Sequence, residues 1–532
     1  SSSAPPPVRP SRSGTLSDHV TAPAASTATR ALPFDMGRVG RHTLIYAAGI
    51  MLSRALSIIM LPIYTRYLSP ADYGVIELIG MTLEVISIFA GAQIALGIFR
   101  YYHKAETDQE RNAVVSTALL GLGVSYLLVG GIAFAAARPV SRLVWDTEAN
   151  AGLLRIASAG FMLQSLLIVP LAYARVRERA LLFVGANAVK VLIGLASNLW
   201  LVVGLEWGVA GVLWSNLLAN AVVGGWLVTW VIRQTGWTFS RSATRDLLRY
   251  GLPMMATWAA TFIVTYGDRY FLQAKGGSAA VGIYSLAYQF GFMLAMLGYI
   301  PFMQVWEQKR FEIAKRPDRD KLLADGFVYL NLMVITVALG IALFVGDFLR
   351  VMSAPAFHHA AVLVPLILVA YVLQGWTSLQ DTGILVSERT EFVSLANWVS
   401  AGVAIAGYAL LIPRYLAWGA AIATVIAFAT RHVIVYAIAQ RLWPVRYRWR
   451  PVLYLVASAL IAWSATLFLP VMPLVISIPA RGAIFAAYLL VVWNGPVLTD
   501  RDRAAALRVV RGVVESLRGV TRRRLVRVGT DA

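Results

Sequence analysis

Apolar residues along this chain come in long blocks, not in the strict alternation of a half-buried strand. A helix needs about 20 apolar residues to cross a bilayer. Blocks of that length fall near 43–66, 73–98, 113–137, 152–174, 181–204 and 207–232. Eight more fall near 247–272, 280–304, 323–346, 360–385, 391–413, 415–440, 451–470 and 474–497. The pattern predicts an all-α integral membrane protein with about fourteen transmembrane helices. Residues 1–40 are rich in Ser, Ala, Pro and Thr without apolar periodicity, which predicts a disordered tail. In 499–532, Ala506, Leu507, Val510, Val513, Val514, Leu517 and Val520 recur at helical spacing with arginines between them. That spacing predicts a basic amphipathic helix lying on an anionic leaflet.

The polar stretches between blocks alternate in charge. Arg38 and Arg41 precede the first block; Arg100, Lys104 and Arg111 follow the second, and Arg175, Arg177 and Arg179 the fourth. Arginines and lysines likewise follow the sixth, eighth, twelfth and fourteenth, whereas the intervening loops hold little more than Arg138, Arg142, Lys275, Arg350 and Arg414. Basic loops stay in the cytoplasm, so both termini are expected there. Charged residues make up 14% of the chain, against roughly 25% in a soluble domain. The net charge of +20 would also suit nucleic acid, but its placement between spans argues for topology and against that partner. Cysteine is absent, which excludes disulfides and thiolate metal sites.

The chain also repeats itself. Thr65-Arg66-Tyr67-Leu68 returns as Asp268-Arg269-Tyr270-Phe271, and Tyr73-Gly74-Val75-Ile76 as Val281-Gly282-Ile283-Tyr284. Phe183-Val184 with Asn187 matches Phe392-Val393 with Asn397; Leu205, Trp207, Gly208 and Ala210 match Leu416, Trp418, Gly419 and Ala421. The matches keep their order over six spans, and six spans return the chain to its starting side. Two parallel copies related by an axis along the membrane normal are expected: an N-lobe at 41–235 (spans 1–6) and a C-lobe at 243–442 (spans 7–12). Spans 13–14 at 451–497 are then additional.

Ionised groups inside apolar blocks cost at least about 2.5–3.5 kcal/mol each at mid-membrane and so mark function or pairing. Arg54 and Glu84 sit at similar depth in neighbouring spans, and Arg66 with Glu77 forms a second candidate pair nearer the outer face. Asp268, Arg269, Lys190 and Arg431 complete the set. These cations are candidates to grip an anionic cargo, a role to which guanidinium is suited through bidentate contacts. The alternative is that they are ion pairs holding helices, or that Arg66 and Arg269 snorkel to the interface. Tyr46, Tyr64, Tyr67, Tyr284, Tyr288, Trp376 and Gln374 are candidates for a sugar-accepting surface. No Walker loop is present, and the adjacent His358-His359 do not share a helix face. No enzymatic role and no cofactor are expected.

Leu61-Pro62 through Tyr73-Gly74, Asp268-Arg269-Tyr270 and Pro301-Phe302 to Trp306 resemble the polysaccharide transporter family, the Wzx-type flippases of the multidrug/oligosaccharidyl-lipid/polysaccharide exporter superfamily. The resemblance implies two lobes in a V around a central cavity in the bacterial inner membrane. It also implies an undecaprenyl-diphosphate-linked glycan as cargo, for O-antigen, capsule or exopolysaccharide assembly. Membrane lipids, a glycan polymerase and glycosyltransferases are the implied partners. The lipid II flippase branch is similar at Ser53-Arg54-Ala55-Leu56, where its arginine is tied to the diphosphate, but has a second arginine where this chain has Met60. An ion-coupled drug antiporter of the same superfamily is the other alternative. Glu77, Glu84 and Asp268 are the candidates for coupling to a proton or sodium ion.

Overall fold

A computed structural model describes residues 60–470, 472–504 and 507–508. The expected tail at 1–40, most of the first span with Tyr46 and Arg54, and the basic tail beyond Arg508 lie outside the described residues. Helix α1 is the end of the first span, 60–67. The turn after it is set by Ser-Pro-Ala-Asp: Ser69 and Asp72 form a reciprocal capping box, and Pro70 takes the first helical position of α2 (Pro70–Phe89). The block near 73–98 is not one helix. Gly91, at φ 81°, breaks it, and α3 (Leu96–Lys104) follows as a short separate helix.

The N-lobe continues through α4 (Asp108–Ala135), α5 (Ala137–Trp145), α6 (Ala151–Val176), α7 (Ala180–Asn198) and α8 (Gly208–Thr235). Helix α5 has no counterpart among the expected spans. It is too short to cross a bilayer and exposes Arg138 and Arg142 to Glu148. The C-lobe begins with α9 (Arg241–Leu294), which holds two spans joined at Gly277 (φ 72°). It continues through α10 (Ile300–Ala314), α11 (Arg319–Met352), α12 (Ala360–Gln380), α13 (Thr382–Val386) and α14 (Glu391–Leu442). Helix α14 again holds two spans, joined at Leu416 (φ 46°).

Among the described residues, ten stretches are long and apolar enough to cross a membrane. Dividing α9–α10 and α14 at their breaks and adding α2 gives thirteen of the fourteen expected; the first lies largely outside the described residues. The two lobes share local geometry as well as sequence. Glu178, in the turn between α6 and α7, has φ 53°, and Glu388, between α13 and α14, has φ 57°.

Arginine-rich loops define a basic end of the bundle; the other is the far end. At the far end the lobes meet glycine on glycine. A Cβ on Gly74 would stand 1.9 Å from the carbonyl oxygen of Ser278, and one on Gly282 would stand 2.0 Å from that of Pro70. Around this point Tyr73 meets Phe357 edge-on at 6.0 Å, and Thr65 donates to the Met352 carbonyl at 3.4 Å. Small residues let membrane helices approach this closely. At the basic end the start of α9 lies against the N-lobe, with Gly251 beside Ile94 and Gly97 beside Leu247.

Helices α15 (Trp449–Ala465) and α16 (Leu474–Asn494) pack outside the C-lobe on α11. Their anchor is Asp347, buried on α11, which accepts from Ser477 Oγ at 2.8 Å and faces Arg481 and Arg350 at 3.4 and 3.6 Å.

Candidate transport site

Inside the N-lobe, α2, α6, α7 and α8 enclose a cavity of about 230 Å³. Lys190 reaches it from α7, about 15 Å along the span from the basic end. Gln164 of α6 and Asn216 and Asn220 of α8 supply its other polar atoms; Gly80 and Phe161 are part of its wall. Among the described residues its lining contains no carboxylate, and no acid pairs with Lys190. Asn220 is nearly buried, donates from Nδ2 to the Gly160 carbonyl at 3.2 Å, and leaves its Oδ1 without a partner among the described residues.

The acids of α2 share one face. Glu77, Gly80 and Glu84 follow one another at i, i+3 and i+7, the spacing of a single helical stripe; Gly80 lines the cavity, and the two carboxylates do not. The Arg66–Glu77 pair does not form. Arg66 points outward at the far end and makes no ion pair with Glu77. Glu77 instead contacts Tyr73 and Gln289, with Arg269 of the other lobe acting on it. The reason is position: Arg66 stands one residue from the end of α1, where its long side chain extends to the interface. Glu84 is exposed and, among the described residues, has no cationic partner.

Arg269 and Asp268 are locked together. Both are essentially unexposed, with Arg269 Nη1 donating to Asp268 Oδ1 at 2.6 Å and to the Thr265 carbonyl at 2.6 Å. Tyr284 donates to Asp268 Oδ2 at 2.6 Å, Thr424 donates to the same oxygen at 3.3 Å, and the guanidinium lies 3.8 Å from the centre of the Tyr288 ring. Tyr284 and Tyr288 therefore seal an ion pair and line no open surface. Of the two readings of Arg269, the helix-holding pair is the one this geometry fits.

Arg431 lies deep in the C-lobe, where Nη1 donates to Gln374 Oε1 at 2.8 Å. Asp381 lies within electrostatic reach of it and is 3.3 Å from Arg310. Asp381 thus acts on this cation while forming its ion pair with Arg310, whereas no described acid acts on Lys190. Trp376 spends its N–H on Asn331 Oδ1, and Tyr67 is half exposed at the far end. Tyr64, partly buried, shares a side-chain hydrogen bond with Asn198.

Sequence reasoning passed over Gln164, Asn216, Asn220, Arg310 and Asp381. A signal for three of them was present. Asn216 and Asn220 are spaced i, i+4, and the repeat offset of 210–211 carries Gln164 onto Gln374 and Asn220 onto Arg431. The lobes thus hold equivalent positions in different chemistry, an open polar pocket on one side and a closed ion-paired cluster on the other.

A model of the family described as polysaccharide biosynthesis protein matches residues 39–306. No protein of curated function matches in sequence. Among solved structures, the lipid II flippase MurJ in an inward closed conformation superposes with a TM-score of 0.71 at 12% identity, covering 85% of this chain and 99% of that one. An inward-facing multidrug resistance MATE family transporter of the MOP superfamily gives 0.56 at 15% identity, covering 73% and 94%. A MOP superfamily transporter from Pyrococcus furiosus gives 0.51 at 15% identity, covering 76% and 94%. At these identities the likeness is one of fold. With half of its length matched by the family model, the chain belongs to the polysaccharide biosynthesis protein family, and its helices are arranged as in the flippase and multidrug carrier structures.

Proposed function

We propose that this protein is a flippase that carries an undecaprenyl-diphosphate-linked oligosaccharide from the cytoplasmic to the opposite leaflet of a bacterial inner membrane, for surface glycan assembly. The observation that carries this reading is Lys190, a cation in an acid-free polar cavity at mid-span and without an ionic partner among the described residues. An organic-cation antiporter needs acids at that place. A hydrocarbon core of about 30 Å bars a charged glycan headgroup. A wet cationic cavity replaces part of its hydration, while the polyprenyl tail stays in lipid. Rocking of the lobes about the site then changes its access, with the basic end facing the cytoplasm. Arg54 is the proposed grip on the diphosphate.

The test is reconstitution. Vesicles holding the protein and a labelled polyprenyl-diphosphate glycan should expose the label to an added glycosidase, and vesicles without the protein should not. Arg54→Ala should lower the rate at least tenfold, with Arg54→Lys intermediate because a lysine keeps the charge but loses the fork. No protein-dependent exposure would remove the reading; normal rates in both variants would remove the diphosphate grip.

Glu77 and Glu84 are proposed to couple the cycle to a proton or sodium ion. Glu77→Gln with Glu84→Gln should abolish the dependence of flipping on an imposed gradient. Retention of that dependence would exclude them.

A further inference from the structure

The hydrogen-bonding inventory of the N-lobe cavity is specific about what can fill it. Lys190 brings three N–H donors and no acceptor. Gln164, Asn216 and Asn220 bring both kinds of group. Asn220 is held in one orientation because its Nδ2 donates to the Gly160 carbonyl. Its Oδ1 is consequently a buried acceptor in a residue that lines the cavity, only 5% exposed and without a partner among the described residues. A buried acceptor left unpaired is costly, and a cargo hydroxyl that reaches this one would relieve that cost. Lys190, in contrast, calls for an anion.

We propose that the cavity is a subsite for one acidic sugar ring of the cargo. Lys190 binds the ring's carboxylate, and Asn220 Oδ1 accepts from a ring hydroxyl. The proposal rests on the flippase reading and adds which part of the cargo is read in this lobe. A diphosphate fits worse on two counts. Ionised, it supplies acceptors only, so Asn220 would stay unpaired; and its multiple charge would face a single ammonium. A volume of about 230 Å³ lies below the roughly 300–1,000 Å³ of sites for drug-sized ligands, which suits one ring and not a chain. At the equivalent C-lobe positions Arg431 Nη1 is already held by Gln374, so the subsite belongs to one lobe.

The purified protein is titrated with glucuronate, glucose and inorganic pyrophosphate and followed by saturation-transfer NMR. Glucuronate should bind about tenfold or more tightly than glucose, the scale of a hydrogen bond to a charged group. Lys190→Met should erase that preference and Lys190→Arg should keep most of it, with the elution profile of each variant reporting its fold. Equal binding of the two sugars, no sugar binding, or displacement of glucuronate by pyrophosphate would overturn the proposal. The vesicle assay on the same preparations separates the two readings. Flipping without a sugar preference removes the subsite alone, whereas no flipping removes the carrier.

Discussion

Replacing Gly74 by Ala is expected to cut glycan export at least tenfold while leaving the amount of folded protein near normal, and Gly282→Ala should do the same. The two glycines are repeat-equivalent, 208 residues apart, and they meet where the lobes touch at the far end. An added Cβ would fall 1.9 or 2.0 Å from a backbone carbonyl oxygen of the opposite lobe. Backbone cannot step aside as a flexible side chain can, so α2 and the second half of α9 must separate by more than an ångström. Overpacking of this kind costs about 1–3 kcal/mol. Because it is confined to the state with the far end shut, the cost enters the conformational equilibrium and not folding, and 1–3 kcal/mol shifts such a ratio by roughly 5–150-fold. A cysteine pair at Thr65 and Met352, whose side-chain hydroxyl and carbonyl lie 3.4 Å apart, reports closure on this cysteine-free background. Cross-linking should fall in step with export. Full export together with undiminished cross-linking in Gly74→Val would show that the glycine contact does not govern closure.

The sequence announced the spans, the alternation of their loops and the repeat, because apolar length, arginine placement and local similarity are all written along the chain. Which face each span presents was not legible. In a soluble helix the polar side marks water, but lipid and protein interior are equally apolar. Lys190 therefore read as an intramembrane cation without a direction, and only the fold shows it on the cavity with Gln164 and two asparagines. The same blindness paired Glu77 with Arg66 along the hairpin, when the nearer cation is Arg269 of the other lobe. The break after α2 was missed for a different reason. Gly91 is one glycine among 42, and nothing local distinguishes the one that takes φ 81° from those that remain helical. Gly74 and Gly282 were visible as a repeat match, yet their contact is a property of how the lobes close.

The second large effect is expected at the sealed ion pair. Asp268→Ala should leave little folded protein, and Asp268→Leu with Arg269→Met should restore most of it. The pair ties three spans: Asp268 and Arg269 stand on the first half of α9, Tyr284 and Tyr288 on the second, and Thr424 on α14. Tyr408 adds a bond from α14 to the Val264 carbonyl at 3.0 Å. Removing the carboxylate alone strands a guanidinium that has no exposure, and breaking a buried pair from one side costs about 3–5 kcal/mol. Replacing both partners by apolar groups of similar volume removes the unpaired charge together with its desolvation, and such exchanges are often neutral or stabilising. Tyr284 then loses its acceptor, which keeps the rescue short of complete. Thermal unfolding of the detergent-purified variants measures the ordering: wild type, then the double variant, then Asp268→Ala well below. Export by the double variant separates the two uses of Arg269. A latch that only holds helices lets the double variant export once it folds, whereas a cation that meets the cargo does not. The sealed geometry predicts export. A double variant less stable than Asp268→Ala, or one that folds fully and exports nothing, would return Arg269 to the path of the cargo.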